Sequence, residues 1–199
     1  MVRVHSIGRL RSLALGAAAL AATAFAASGA QAAVTVLGDG LAHLCSVAAI
    51  SGVADDNAIK VCTLSIENEM LIDRDRSGTF VNRGVMLLHR QQFAAAKSDF
   101  DTAVKTDPKL GEAYVDRGAA LVAMHRYADG IVDLEKGLGL VPEEPEKAYY
   151  NRALAREGMG DIKGAYFDYR KAVELKPDWE DPQRELTRFT VRTVGPVGS

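Results

Sequence analysis

Three arginine–aspartate pairs recur at one spacing between residues 83 and 168 of this 199-residue chain. Each aspartate follows its arginine by sixteen residues, and the pairs are Arg83 with Asp99, Arg117 with Asp133, and Arg152 with Asp168. A guanidinium can bind a carboxylate through two parallel hydrogen bonds, or it can bind an anion from solution. We favour internal ion pairs over an anion-binding row, because charges that repeat with a fold usually stabilise that fold.

Other residues suited to acid, base or metal chemistry form no recognisable motif. Glu112 and Asp116 lie four residues apart, and Glu157 is a third carboxylate that could approach them. Paired carboxylates can act as general acid and base, but a solvated rim is favoured because charged residues are mostly exposed. His43, His89 and His125 are far apart in sequence and have no ligand-spaced partners. The sequence therefore predicts no catalytic residue, no metal site and no cofactor.

The elements that position these residues repeat every 34 or 35 residues. Three kinds of residue recur in each copy: an aromatic residue at Phe80, Tyr114 and Tyr149, a small one at Gly84, Gly118 and Ala153, and a proline at Pro108, Pro142 and Pro177. A fixed period of this length is typical of stacked helical units that cannot bury their apolar faces alone. The small residues let two helices approach closely, and the proline ends the second helix.

These columns resemble the tetratricopeptide repeat family, in which an aromatic residue is followed by Leu-Gly, Tyr, Ala, Phe and Pro. Local departures are the arginines 83, 117 and 152 in place of Leu, Arg156 in place of Tyr, and Gly130 and Gly137 in place of Ala. The resemblance implies an all-α fold, a right-handed superhelical solenoid of helix-turn-helix hairpins. Its helices are expected near 77–90, 93–106, 111–124, 127–140, 146–158 and 162–175.

The first 32 residues have the pattern of a secretory signal peptide. Arginines 3, 9 and 11 precede a short apolar run at 13–27, and Ala30-Gln31-Ala32 is a small-x-small cleavage site before Ala33. The run is shorter than the roughly 20 residues that span a bilayer, so no integral membrane span is expected after cleavage; an uncleaved anchor is the alternative. The protein is predicted to be periplasmic or secreted. The pattern of its leader is typical of bacteria.

The chain has two cysteines, Cys45 and Cys62. Export makes a disulfide between them the default, and two buried free thiols are the alternative. They fall in two predicted helices, 41–50 and 56–67, whose small residues fit the repeat without its aromatic residue or proline. We expect a disulfide-stapled N-terminal hairpin there, a C-terminal capping helix that begins at Asp181-Pro182, and a loose tail at 191–199.

The predicted organisation follows from these assignments. It consists of a signal peptide (1–32), an N-terminal arm with a degenerate hairpin (33–76), three repeats (77–110, 111–145 and 146–179) and a capping helix with its tail (180–199).

In the family the resemblance indicates, the first helices line a concave groove. The residues expected there are Val81, Asn82, Val85, Val115, Asp116, Ala119, Tyr150, Asn151 and Leu154. Short amides and a carboxylate on an apolar floor suit an extended peptide backbone. We therefore expect a non-catalytic interaction module that binds a peptide or protein segment; amides that only join neighbouring helices are the alternative.

Two further expectations concern the partner. Lys147 and Asn151 resemble part of the clamp with which some family members hold a carboxyl terminus, but Val81, Val85 and Asp116 depart from it, so that clamp is not expected. The net charge is −2, whereas nucleic-acid-binding proteins usually carry a basic surface, so no nucleic-acid partner is expected. The competing function is a small-ligand receptor or hydrolase that uses the acidic groove residues.

Overall fold

The computed structural model describes residues 2–6, 31–37 and 40–193. Over these ranges the helices are α1 (Leu41–Ile50), α2 (Asp56–Asn68), α3 (Asp73–His89), α4 (Phe93–Thr106), α5 (Gly111–Ala123), α6 (Tyr127–Gly139), α7 (Pro145–Gly158), α8 (Ile162–Leu175) and α9 (Glu180–Leu186). Two short strands, β1 (Val2–Ser6) and β2 (Phe189–Thr193), pair antiparallel.

The helices form a row of antiparallel hairpins. Within the row, α1 packs on α2, α3 on α4, α5 on α6 and α7 on α8, and α4–α5 and α6–α7 contacts join successive hairpins. The first helices also contact one another, α3 with α1 and α5, and α5 with α7. This arrangement confirms the predicted all-α stack of helical hairpins, and it places α1, α3, α5 and α7 side by side along one face.

Small residues set the distance between the two helices of a hairpin. A Cβ atom at Gly84 would lie 2.5 Å from Cε1 of Phe100, so the ring of α4 fills the space that glycine leaves on α3. In the next hairpin, a Cβ at Gly118 would lie 3.0 Å from the backbone oxygen of Gly130. The two glycines therefore let α5 and α6 approach through their backbones.

The N-terminal hairpin is closed by the Cys45–Cys62 disulfide, with a Cα–Cα distance of 4.9 Å. Both cysteines are fully buried beside Met86 of α3. The Asp55 side chain caps α2 by accepting a hydrogen bond from the Ala58 amide at 2.8 Å. The Glu69 carboxylate accepts from the amides of Leu41 and Ala42, and so caps α1. This hairpin is therefore held by covalent and polar contacts where it lacks the aromatic residues of the other repeats.

Element boundaries differ from the sequence expectation at three places. Helix α3 begins at Asp73, so the expected repeat boundary at 77 lies inside it. The carboxylates of Asp73 and Asp75 stabilise the first turn because they lie at the positive end of the helix dipole. Trp179, rather than Asp181, is the N-cap of α9. Strand β2 extends to Thr193, into the stretch expected as a loose tail.

The predicted leader contributes one described element, β1, which pairs with β2. A cleaved signal peptide makes no lasting contribution to a fold, so this pairing differs from the sequence expectation: in the unprocessed chain, the backbone of β1 pairs with the edge of β2. The apolar run at 13–27 lies outside the described residues. Among the described helices, none has the length and apolar character needed to cross a membrane.

Candidate peptide-binding groove

An extended segment of the chain itself lies along the face formed by the first helices. We call residues 31–37 the strap. Its backbone has no regular secondary structure, and it crosses from α7 toward α1. The groove that the sequence predicts is therefore occupied by an extended peptide in this structure.

Asn82 on α3 holds the centre of the strap. Its side-chain Oδ1 accepts a hydrogen bond from the Val34 amide, and its Nδ2 donates to the Val34 carbonyl, both at 2.7 Å. Asn82 is fully buried. One amide side chain thus binds both backbone groups of a single residue, in the way a neighbouring β-strand would.

Asp116 occupies the equivalent position on α5. Its Oδ1 accepts a hydrogen bond from the Ala32 amide at 3.0 Å, while its Oδ2 is buried with no hydrogen-bond partner among the described residues. Burial raises the pKa of Asp116 well above its ordinary value, and Lys147 acts in the opposite direction. The third residue of this polar column, Asn151 on α7, is also buried and has interactions of its own.

Polar side chains hold the two ends of the strap. Lys147 of α7 donates to the Gln31 carbonyl, and His89 Nε2 lies 3.0 Å from Oε1 of Gln31. Burial lowers the pKa of His89, and Lys147 lowers it further. At the other end, the Val36 carbonyl lies 2.8 Å from Nδ1 of His43 on α1.

Side chains of the strap alternate between buried and accessible. Ala32, Val34 and Val36 are buried, whereas Thr35 and Leu37 are exposed. A Cβ atom at Gly78 of α3 would lie 2.8 Å from Cγ1 of Val34, so glycine at that position makes room for the strap. The groove therefore accepts small aliphatic side chains at every second residue.

The apolar residues expected on the groove floor have two kinds of surroundings. Val81 and Val85 belong to the same apolar cluster as Val34 of the strap, whereas Val115 and Tyr150 belong to hairpin cores. Val115 lies against Gly137 of α6, and Tyr150 lies against Tyr169 and Trp179. The buried members of the expected set are Val81, Val85, Val115, Ala119 and Tyr150, while Leu154 is partly buried between the last two cores. Contact with the strap's backbone comes from the polar column and from side chains at its ends.

The residues that sequence reasoning missed are the strap itself, Gly78, His89 and His43. Only the strap carried a signal, its β-branched run Val34-Thr35-Val36. Such a run favours an extended backbone, but it does not say which surface the segment covers.

The structure pairs each arginine of the repeating column with the aspartate sixteen residues later. Two hydrogen bonds join each pair, at 2.7 and 2.8 Å for Arg83–Asp99 and Arg117–Asp133, and at 2.8 and 2.9 Å for Arg152–Asp168. Each guanidinium also reaches the second helix of the preceding hairpin, through Thr63, Asp101 and Glu135 respectively. The arginines therefore tie neighbouring hairpins together.

The three carboxylates considered for acid–base chemistry have different partners, and that of Asp116 is the Ala32 amide. Glu157 binds the Arg188 guanidinium through two contacts of 2.8 Å, and Glu112 accepts a hydrogen bond from the Glu143 amide. Within the described part of the chain, no group of histidine, cysteine and carboxylate side chains could hold a metal ion.

Comparison with known proteins agrees with this architecture. The sequence profile of the tetratricopeptide repeat matches residues 146–178. The chain therefore contains a tetratricopeptide repeat at residues 146–178. The chain is similar to the Hsp70-Hsp90 organizing protein of Triticum aestivum, 35% identical over 89 residues, and to a DnaJ homolog subfamily C member 7 homolog of Dictyostelium discoideum, 34% identical over 100 residues. These alignments cover 45% and 48% of the chain but only 15% and 18% of the two relatives.

Solved tetratricopeptide structures share the fold. MamA from Desulfovibrio magneticus superposes with a TM-score of 0.58 at 22% identity, covering 76% of this chain and 84% of MamA. The first tetratricopeptide domain of Spaghetti (RPAP3), solved with an HSP90 peptide, gives a TM-score of 0.54 at 20% identity, covering 60% of this chain and 94% of that one. At these identities the similarity concerns the fold.

Proposed function

We propose that the groove of this tetratricopeptide repeat protein binds an extended segment of another protein, without catalysis. The observation that carries this proposal is the pair of hydrogen bonds between Asn82 and Val34, because it is a complete backbone-recognition contact. A side chain that binds backbone groups does not depend on the ligand's sequence, so it serves a partner segment equally well. A related domain, that of Spaghetti, was solved with a peptide bound.

The strap defines the chemistry of the partner segment. A competing segment must be extended and must carry small aliphatic side chains at alternate positions, because Ala32, Val34 and Val36 are the side chains that the groove buries. Larger residues would meet Gly78 and the backbone of α3. The partner must also displace the strap, so the apparent affinity is lower than the affinity of an open groove.

We also propose that the protein is exported and that its leader is removed after Ala32. The basic start, the short apolar run and the Ala30-Gln31-Ala32 site support export. The Cys45–Cys62 disulfide is consistent with an oxidising compartment. Cell fractionation and the intact mass of the isolated protein test this point; a chain that keeps its first residues, or that stays in the cytoplasm, would contradict it.

Peptide binding can be tested with a labelled synthetic peptide of residues 32–37 and fluorescence anisotropy. Val34→Pro removes the amide that donates to Asn82 Oδ1 but leaves the groove intact, so it weakens the strap alone. Since one hydrogen bond contributes about 0.5–1.5 kcal/mol, we expect the peptide to bind several-fold more tightly. Thr35→Pro is the matched control, because Thr35 is exposed and its amide makes no hydrogen bond in the described structure.

The groove itself is tested by Asn82→Ala in the Val34→Pro background. This change removes both side-chain contacts to the ligand backbone, so binding should fall by about tenfold or more. Asn68→Ala, at an exposed residue of α2, should leave binding unchanged. Peptide binding that is indifferent to both Val34→Pro and Asn82→Ala would refute the groove as the binding surface.

A further inference from the structure

One carboxylate oxygen in the groove lacks a donor. Asp116 is fully buried, and among the described residues its Oδ2 has no hydrogen-bond partner. A buried carboxylate with an unsatisfied oxygen is destabilising unless a donor or a positive charge reaches it, and burial accordingly raises the pKa of Asp116 toward the neutral acid in the unprocessed chain. The full chain supplies one neutral donor, the Ala32 amide, to the other oxygen.

The orphan oxygen lies at the site where we propose that the leader is cut. Hydrolysis of the Ala32–Ala33 peptide bond by a processing peptidase consumes one water molecule. It leaves a carboxylate on Ala32, which departs with the leader, and an ammonium group on Ala33. This nitrogen is one residue, or about 3.5 Å along the chain, from the amide that Asp116 accepts in the full chain.

The rest of the strap has its own anchors and does not depend on the leader. Val34 keeps both hydrogen bonds to Asn82, and the Val36 carbonyl keeps its contact with Nδ1 of His43. A cavity of about 20 Å³ lies beside Ala32 and Ala33, with Glu112 and Glu144 in its wall. A space of this size holds about one water molecule, so the backbone at Ala33 is not tightly enclosed, and the departure of Ala32 frees the position from which its amide reaches Asp116.

We propose that Asp116 binds the α-ammonium group of Ala33 in the processed protein, an interaction that rests on the export and cleavage proposed above. The ammonium supplies what the buried carboxylate lacks, a positive charge with several N–H donors. The consequence for function is that the shortened strap, which now begins at Ala33, is fastened by its new terminal residue. A partner segment must then break an ion pair as well as the Asn82 contacts.

Other charged groups face the same point. Glu112 of α5 and Glu144 before α7 reinforce the negative field around Asp116, whereas Lys147 of α7 opposes it. Lys147 loses the Gln31 carbonyl on cleavage but retains its contact with Glu144. Arg74 of α3 and Glu143 line the adjacent cavity, and His89 is held against Gln31 in the full chain. Lys147 is therefore the competitor that the experiment has to separate from the Ala33 amine.

The test uses protein isolated after expression of the full chain in an exporting bacterium, with its start at Ala33 verified by intact mass. The rate of Ala33 acylation by an amine-reactive ester, followed by peptide mapping across pH, gives the pKa of the α-amine. An unperturbed α-amine titrates at about 8. A carboxylate partner raises the pKa because it favours the charged form, whereas burial without a partner lowers it.

We expect a pKa raised by about one unit, which slows acylation at neutral pH about tenfold relative to the urea-unfolded chain. Asp116→Asn should remove most of this slowing, and Glu112→Gln, which removes a carboxylate from the same helix, should retain it. An unraised pKa in the unsubstituted protein overturns the proposal even if Asp116→Asn does not fold. Equal acylation rates in the unsubstituted and Asp116→Asn proteins also overturn it. So does a slowing that is lost in Glu112→Gln instead of Asp116→Asn, or a mature protein that begins at a residue other than Ala33. No partner peptide is present, so a negative result leaves peptide binding to its own test.

Discussion

Arg117→Ala offers the sharpest test of how the hairpins are joined. Arg117 donates from Nε and Nη2 to the two oxygens of Asp133 at 2.7 and 2.8 Å, and from Nη1 to Asp101 at 3.1 Å. Its guanidinium also lies 5.5 Å from the ring centre of Tyr114. The truncation therefore removes contacts within one hairpin and between two.

The magnitude follows from burial. Removing one partner of a buried ion pair costs about 3–5 kcal/mol, because the other charge stays buried without compensation. The side chains of Arg117 and Asp133 retain 20% and 12% of their exposure, so solvent screens part of this effect. We expect the free energy of unfolding to fall by about 2–4 kcal/mol, which lowers the melting temperature by roughly 5–15 °C in a domain of this size.

Arg126→Ala is the matched control, because Arg126 and Asp129 also form an arginine–aspartate pair but are 50% and 56% exposed. A pair at the surface contributes about 0–1 kcal/mol. Urea unfolding of both variants, with Asp133→Ala and the double variant completing a cycle, measures the coupling between Arg117 and Asp133. Equal destabilisation by the two arginine substitutions, or a coupling near zero, would refute the ion pair as a source of stability. Peptide binding by the folded Arg117→Ala protein should stay unchanged.

Three further predictions concern packing and backbone geometry. Gly130→Ala should lower the free energy of unfolding by about 1–3 kcal/mol, because the new Cβ would lie 3.1 Å from a backbone oxygen of α5. Gly139→Ala should raise the free energy of unfolding by up to about 1 kcal/mol, because no atom lies within 4 Å of its Cβ. Urea unfolding of both variants tests this, and the reverse order of stability would contradict both expectations. Reduction of Cys45–Cys62, separated by 17 residues, should lower stability by about 3 kcal/mol; a melting temperature indifferent to reductant would exclude this. Val141→Gly should stabilise by about 1 kcal/mol in chemical denaturation, since Val141 is exposed with a φ of 56°, and a loss would show that the strain is absent.

The fold was predictable because its information is repeated and local. Each of the three repeats has an aromatic residue, a small residue and a proline at fixed positions, and three copies in register leave little freedom in the helix boundaries. The start of α3 was less predictable, because its first turn is charged and has no counterpart in the repeat. Asp73 and Asp75 stabilise that turn through the helix dipole, which a repeat pattern does not record.

The polar column of the groove was also visible in the sequence, since Asn82, Asp116 and Asn151 follow the repeat period. Their neighbours Val81, Val115 and Tyr150 were harder to place, because an apolar residue on a first helix can face the groove or the second helix equally well. Burial against α6 and α8 decided the position of Val115 and Tyr150. A difference of one residue turns a side chain by about 100° around a helix, so groove and core positions alternate closely.

By itself, the sequence determined the repeating units, the arginine–aspartate spacing and the cysteine pair, because each of these depends on residues within one hairpin. Tertiary structure alone decided what lies in the groove. The contacts that place the strap join residues 48 and 84 positions apart, Val34 to Asn82 and Ala32 to Asp116. Backbone groups make these contacts, and any residue other than proline could supply the amides. The sequence of the strap therefore does not identify the groove as its binding surface. Only the stacking of the first helices brings the acceptors on Asn82 and Asp116 into line with the strap's amides.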